Sequence, residues 1–147
     1  MEISFAPAVA DDFEELLALR IAAMHESLLR IGRFDPARAR ERFLSGFSPA
    51  DTRYILLDQQ RTGFVVLKHN AEHILLDHLY IHPDYQGRGI GSAVLTEVFR
   101  DADVRALPLH VGALRASRAN HFYRQHGFVL SAEEEWDVYY IRQPASL

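Results

Sequence analysis

The sequence predicts an α/β (α+β) fold with a mixed, mostly antiparallel central sheet of about seven strands, flanked by about four helices. Strand-like runs in the first half are joined by short polar connections, which is typical of antiparallel hairpins. A helix-like segment then separates two further strand-like runs, an order that favours a parallel pair. The length of 147 residues fits one domain, residues 1–147, that buries roughly two thirds of its unfolded surface.

The N-terminal part predicts one strand and two helices. Residues 3–5 form a short strand, and a long helix capped by Asp11 or Asp12 follows. Its apolar residues recur at helical spacing, and Gly32 closes it. A second helix starts at the Asp35-Pro36 pair, where a cap is followed by a proline in the first turn.

The remaining elements follow from periodicity and from glycine and proline punctuation. Three strands are expected at residues 53–57, 64–68 and 73–81, with connections at 58–63 and 69–72. After them we expect a helix at 90–102, a strand at 107–111, a helix at 117–125 and a closing hairpin of strands at 128–130 and 138–141.

Composition excludes several classes of protein. The absence of cysteine rules out disulfides, thiolate metal sites and a covalent cysteine intermediate. No apolar run approaches the roughly 20 residues that span a bilayer, so no membrane segment is expected. The first residues show no export signal, which predicts a cytoplasmic protein. The net charge of −4 and the lack of a basic stripe argue against nucleic acid as a partner.

Residues 74–92 are the most informative segment. A strand ends at Pro83, and Gly87, Gly89 and Gly91 then lead directly into a helix N-terminus. Such a turn presents several free N–H groups beside the positive end of the helix dipole. Phosphate oxygens bind to that arrangement, so we expect a phosphorylated cofactor here. The structural alternative is a tight turn without a ligand, because glycine is the usual residue wherever φ is positive.

Two familiar phosphate-binding motifs do not match this turn. The P-loop pattern ends in Gly-Lys-Ser/Thr, and the turn has no lysine. The dinucleotide pattern G-x-G-x-x-G fails from either starting glycine, because Ser92 or Val94 stands at its last position. The pattern that remains is Gln86-x-x-Gly89-x-Gly91 directly after a strand.

A second segment, residues 107–128, strengthens the interpretation. It has a strand and then a helix with an alanine and a tyrosine, closed by Gly-Phe, at Ala119, Tyr123 and Gly127-Phe128. Together the two segments resemble the GNAT superfamily, the acetyl-CoA-dependent N-acetyltransferases, in order and separation. The resemblance covers essentially the whole chain and implies a GNAT-like fold. The chain departs from the pattern at Ala116, where the family usually has an asparagine; Asn120 is a candidate substitute.

The resemblance implies a binding site for acetyl-CoA. The backbone of the glycine turn would hold the pyrophosphate, with Gln86 and Arg88 at its rim. Strand residues would pair with the pantetheine arm, and Asn120 would contact it, although a solvated helix position also explains Asn120. The implied cofactor-binding residues are Leu79, Tyr80, Ile81, Gln86, Gly87, Arg88, Gly89, Ile90, Gly91, Ser92, Asn120 and Tyr123.

The resemblance also implies catalytic roles. Tyr123 is the candidate general acid for the leaving thiolate, because a phenol can protonate a thiolate over a short hydrogen bond; the alternative is a ring that only packs on the sheet. Tyr80 is a weaker candidate acid that would otherwise line the acceptor side. Asp77 is the candidate base, two residues from Leu79 and therefore on the same strand face. Glu26 or a chain of water molecules are alternatives.

The acceptor is expected to be a primary amine of a small molecule or peptide. Met24 and Glu26 are the candidate acceptor-binding residues, and the wider set on or after the first helix that could line the acceptor pocket also includes Arg20, Arg30 and Arg33. A solvated face is the alternative that explains the same charges. A non-catalytic acyl-CoA sensor is the alternative function, and a homodimer is common among similar proteins. No metal is expected, because His78 and His82, four residues apart on a strand, are separated by about 13 Å.

Overall fold

The computed structural model describes residues 2–30, 32 and 35–145, without the side chains of residues 26, 28 and 30. Within them, seven strands form one sheet in the order β1-β2-β3-β4-β5-β7-β6, together with four α-helices. This confirms the predicted fold class. The elements are β1 (Ile3–Pro7), α1 (Phe13–Arg30), α2 (Pro36–Ser45), β2 (Thr52–Leu57), β3 (Gln60–His69), β4 (Ile74–Ile81), α3 (Ile90–Arg105), β5 (Leu109–Leu114), α4 (Arg118–Gln125), β6 (Val129–Glu133) and β7 (Asp137–Arg142).

Strand pairing follows the predicted mixture of directions. The pairs β1–β2, β2–β3, β5–β7 and β6–β7 are antiparallel. The pair β4–β5 is parallel, as the intervening helix predicts, and its register runs from Ile74 opposite Leu109 to Leu76 opposite Val111. No helix among the described residues has the length and apolar character that crossing a membrane requires.

The chain forms two compact units. The first comprises Met1–Val66 and His78–Gly91, and the second comprises Leu67–Asp77 and Ser92–Leu147. Strands β3 and β4 and helix α3 each contribute residues to both units. One domain over residues 1–147 stays a prediction.

The core of the first unit is rich in aromatic rings. Phe13 of α1 stacks on Phe43 of α2 with ring centroids 5.5 Å apart, and both rings are buried. Leu16 and Leu17 of α1 are buried beside them, which confirms the start of the predicted apolar helix face. Such rings remove large apolar areas from water and are a main source of stability.

The two helix starts use their aspartates differently. Asp35 caps α2 as predicted, since its Oδ1 accepts the backbone N–H of Ala37 over 3.1 Å. Before α1, however, Asp12 lies in a short 3-10 turn, and its Oδ2 accepts the backbone N–H of Val9 over 2.9 Å. The predicted cap at residue 11 or 12 therefore acts one turn earlier than expected.

The second unit contains buried apolar residues and one largely buried ion pair. Its buried residues include Ile74, Leu76, Val94, Leu95, Val98, Leu109, Val111, Phe128 and Tyr140. The Arg142 guanidinium of β7 donates to Asp103 of α3 over 2.9 Å, with both side chains largely buried. This hydrogen bond holds the pKa of Asp103 below its usual value.

The β2–β3 connection is shorter than predicted. The sequence predicts a loop at residues 58–63, but β3 begins at Gln60, and only Asp58 and Gln59 form the turn, with φ of +51° and +67°. The first residues of β3 are polar, so the sequence there lacks the apolar alternation that indicates a strand. Thr62, for example, is buried and donates its hydroxyl to the Ile55 carbonyl over 3.0 Å.

Candidate functional site

A short turn joins β4 to the glycine loop in the first unit. Pro83–Tyr85 form one 3-10 turn. The backbone N–H of His82 donates to the Thr62 carbonyl of β3 over 2.8 Å. The side-chain amide of Gln86 donates to the Ile81 carbonyl over 2.8 Å. These bonds fix the start of the loop to the ends of two strands.

The glycine loop leaves backbone donors available. Gly87 and Gly89 have φ of +78° and +82°, a region that glycine adopts without a steric penalty. In the described part of the chain, no protein acceptor is assigned to the backbone N–H of either glycine. Both are exposed, while the buried Ile90 anchors the first turn of α3. Exposed N–H groups at a helix N-terminus favour an anion such as phosphate.

The polar side chains predicted around the loop have different partners. Arg88 is exposed, and its guanidinium carbon lies 5.2 Å from the centre of the Tyr85 ring. The Gln86 amide is engaged with β4, so its contribution is to shape the loop. Ser92 of α3 pairs its hydroxyl with Nε2 of His126 over 3.0 Å.

His126 was missed by sequence analysis. Its Nδ1 lies 2.8 Å from the Phe122 carbonyl oxygen, which can only accept a hydrogen bond. Nδ1 therefore carries a hydrogen, and Nε2 is the nitrogen that faces the Ser92 hydroxyl. The two partners are 34 positions apart, so no local pattern predicts the contact.

The end of β4 carries the residues predicted to pair with pantetheine. Leu79, Tyr80 and Ile81 are half-buried and follow the stretch in which β4 pairs with β5. On β3, Gly63 lies against this strand: a Cβ at Gly63 would collide with the Tyr80 carbonyl oxygen and come within 3.0 Å of the Ile81 Cα. Only glycine permits this approach.

We therefore expect Gly63→Ala to destabilise the protein by about 1–3 kcal/mol, because β3 and β4 must move apart. Gly46→Ala is the control: no atom lies within 4 Å of its added Cβ, and a change within about 0.5 kcal/mol is expected. Urea unfolding measures both values. Equal stabilities of the two variants would contradict the close approach of the strands.

Tyr123 lies on the buried side of α4 in the second unit. It is 5% exposed, and its ring meets Phe128 edge-on with centroids 5.3 Å apart. A second edge contact joins it to Phe122 at 5.4 Å. The ring is therefore held by packing, as a positioned acid requires, although packing alone would give the same burial.

Asn120 is the centre of a buried hydrogen-bond network. Its amide group donates to the carbonyls of Leu114 and Ser117 over 2.9 and 3.0 Å, and its Oδ1 accepts the Tyr140 hydroxyl over 2.8 Å. At 8% exposure it is not solvated, so the alternative of a solvated helix position is wrong. The amide links α4 to β5 and β7; its contact with pantetheine stays a prediction.

Ala116, the departure from the family pattern, has a left-handed backbone with φ of +67°. Asparagine adopts this region more readily than other residues with a side chain. The conformation therefore suits the asparagine that the family usually has at this position. In this chain an alanine adopts the same left-handed conformation.

Asp77, the candidate base, forms an ion pair. Its Oδ2 lies 3.3 Å from Nζ of Lys68 on β3, and both side chains are partly exposed. The carboxylate therefore has a cation beside it.

The remaining predicted residues are dispersed. Met24 is half-buried on α1, whereas the Glu26 side chain lies outside the described residues.

Among described side chains, no cluster of three or more potential metal ligands occurs. Instead, His73 stacks on His110 with centroids 4.1 Å apart, and burial together with His73 lowers the pKa of His110.

Comparisons with known proteins place this geometry in context. A family model described as an acetyltransferase (GNAT) domain matches residues 50–130, more than half of the chain. No curated protein sequence matches the chain.

Several solved structures share the fold. One is a PaiA N-acetyltransferase from Thermoplasma acidophilum in complex with coenzyme A, with a TM-score of 0.78 and 18% identity over 97% of this chain and 99% of that chain. An acetyltransferase from Thermus thermophilus has a TM-score of 0.74 and 19% identity over 97% of both chains. A GCN5-related N-acetyltransferase from Rhodopseudomonas palustris has a TM-score of 0.68 and 23% identity over 97% of this chain and 98% of that chain.

Proposed function

Because this chain belongs to the GNAT acetyltransferase family, we propose that it transfers an acetyl group from acetyl-CoA to a primary amine of a small molecule or peptide. The amine attacks the thioester directly while both substrates are bound. The observation that carries this proposal is the glycine loop, whose N–H groups at Gly87 and Gly89 have no protein acceptor among the described residues. A pyrophosphate supplies the acceptors that they lack.

The chain's contribution to cofactor binding follows from the loop and from β4. Acetyl-CoA, when bound, supplies the acetyl group as a thioester. The N–H groups from Gly87 to Ser92 hold its pyrophosphate, and Arg88 adds a positive charge beside them. The pantetheine arm pairs with the backbone at Leu79–Ile81 in the way that an added β-strand would. One backbone N–H of this stretch polarises the thioester carbonyl.

The transfer requires two proton movements. The new bond joins the amine nitrogen to the carbonyl carbon as the carbon–sulfur bond breaks. The attacking nitrogen gives up a proton, and the departing thiolate takes one. Asp77 is our candidate for the first step, and Tyr123 for the second.

We expect Asp77→Asn to lower kcat/KM for the amine by about 100-fold, since an amide cannot accept the proton. Lys68→Met is the matched control, because it removes the ion pair but keeps the carboxylate. Initial rates of thiol release across a pH series measure both variants. Equal losses in both would mean that the ion pair matters and not a base, and an unchanged rate in Asp77→Asn would exclude this residue as the base.

The proposal is tested in two steps. First, acetyl-CoA is expected to raise the Tm in a thermal-shift assay, because a ligand that binds the folded state stabilises it. Second, a panel of primary amines is scored by release of free CoA. Binding without turnover of any amine would contradict the transferase proposal and support an acyl-CoA sensor.

A further inference from the structure

One cation lies on the buried face of α1. Leu16 and Leu17 define that face and are almost fully buried, and Arg20 follows them by four and three residues, which places it on the same side of the helix. An apolar residue is the usual occupant of such a position. Arg20 is one of the residues on or after the first helix that the sequence suggests for the acceptor pocket.

Two aromatic rings flank the guanidinium. Its central carbon lies 5.9 Å from the centroid of Phe43 on α2 and 5.9 Å from that of Tyr80 on β4. His78, also on β4, meets Phe43 edge-on at 5.4 Å and lies with its Nδ1 3.3 Å from the Tyr80 hydroxyl. Ring faces attract a cation but offer no oxygen to its N–H groups.

One nitrogen of the guanidinium group lacks a hydrogen-bond acceptor. Its Nε is buried and has no hydrogen-bond partner, and no carboxylate among the described residues is assigned to it as an ion-pair partner. A buried donor without an acceptor destabilises a fold, and a charged one does so more strongly. Arg40 shows the ordinary alternative: it lies over the Phe13 ring and forms an ion pair with Glu14.

We propose that Arg20 binds a carboxylate of the acetyl acceptor, which makes the acceptor an amino acid. This inference rests on the proposed function. The planar guanidinium matches a carboxylate with two parallel hydrogen bonds. Tyr80 belongs both to this site and to the β4 stretch proposed to hold pantetheine, so a carboxylate on Arg20 lies beside the acyl-binding strand. The half-buried ring of Tyr80 receives the carbon skeleton of the acceptor.

The test uses acceptors that differ in the carboxylate alone. Leucine is compared with leucinamide, phenylalanine with phenylalaninamide, and 6-aminohexanoate with hexylamine, each with saturating acetyl-CoA. The two amines of a pair also differ in basicity. For each variant we therefore take the ratio of kcat/KM for the amine with the carboxylate to kcat/KM for the amine without it, and we compare this ratio between variants. Arg20→Met is expected to lower the ratio for the preferred pair by about tenfold or more. Arg20→Lys is expected to retain part of the wild-type ratio, and Arg40→Met is expected to have the same ratio as the wild type.

Stability provides an independent readout. Removing a buried donor without an acceptor relieves a cost, so Arg20→Met should have a Tm equal to or above that of the wild type. An unchanged ratio in Arg20→Met, or a marked loss of Tm, would overturn the inference. So would a wild-type chain that binds CoA but acetylates none of the carboxylate-bearing amines, and that result leaves the cofactor site intact. A wild-type chain that does not bind CoA would overturn the proposed function as well.

Discussion

Replacing Gly89 with aspartate is expected to lower the affinity for CoA by at least about 100-fold, equivalent to about 2.7 kcal/mol. Two effects act together. The φ of +82° is unfavourable for a residue with a Cβ. The new carboxylate would also stand where the proposal puts a pyrophosphate, and like charges repel at short range. Isothermal titration with CoA measures the loss.

Two further variants separate these causes. Gly89→Ala brings the backbone strain without the charge, so it should lose less affinity than the aspartate variant. Gly32→Asp places the same charge at a glycine with φ of +70° and open space around it, and it should bind CoA normally. Wild-type affinity in Gly89→Asp would refute the assignment of the loop.

The second large effect is expected from Tyr123→Phe. This change keeps the buried ring and its edge contact with Phe128 but removes the hydroxyl. If the phenol protonates the thiolate, kcat falls by about 100-fold while the KM for acetyl-CoA changes little. Steady-state kinetics separate the two constants.

Tyr139→Phe is the matched control for that experiment. Tyr139 lies on β7 and packs against Gly112, and the hydrogen bond to Glu134 raises the pKa of its hydroxyl. The proposed mechanism gives it no role, so its turnover should be that of the wild type. A Tyr123→Phe variant with the same kcat as Tyr139→Phe would leave Tyr123 as a packing residue.

The fold was predictable because its signals are local. The Asp35-Pro36 cap, the alternation in the strands and the glycines after β4 each act over a few residues, and the structure has the corresponding elements. The β2–β3 turn escaped prediction for the same reason. It uses Asp58 and Gln59 in left-handed conformations where glycine or asparagine is the usual signal.

The site was less predictable because its contacts join distant parts of the chain. Asn120 bonds Tyr140, and Ser92 bonds His126, and neither pair shows a pattern along the sequence. Arg20 is an intermediate case: its place on the apolar face of α1 is visible in the sequence, but the missing acceptor is visible only in the structure.

The most direct test of the central claim is an NMR titration of backbone amides, for which a protein of 16.8 kDa is well suited. CoA at equimolar concentration should shift the amide resonances of Gly87 and Gly89, whereas pantetheine, which lacks the pyrophosphate, should leave them in place. Saturation with CoA while both glycine amides stay unshifted would contradict the account.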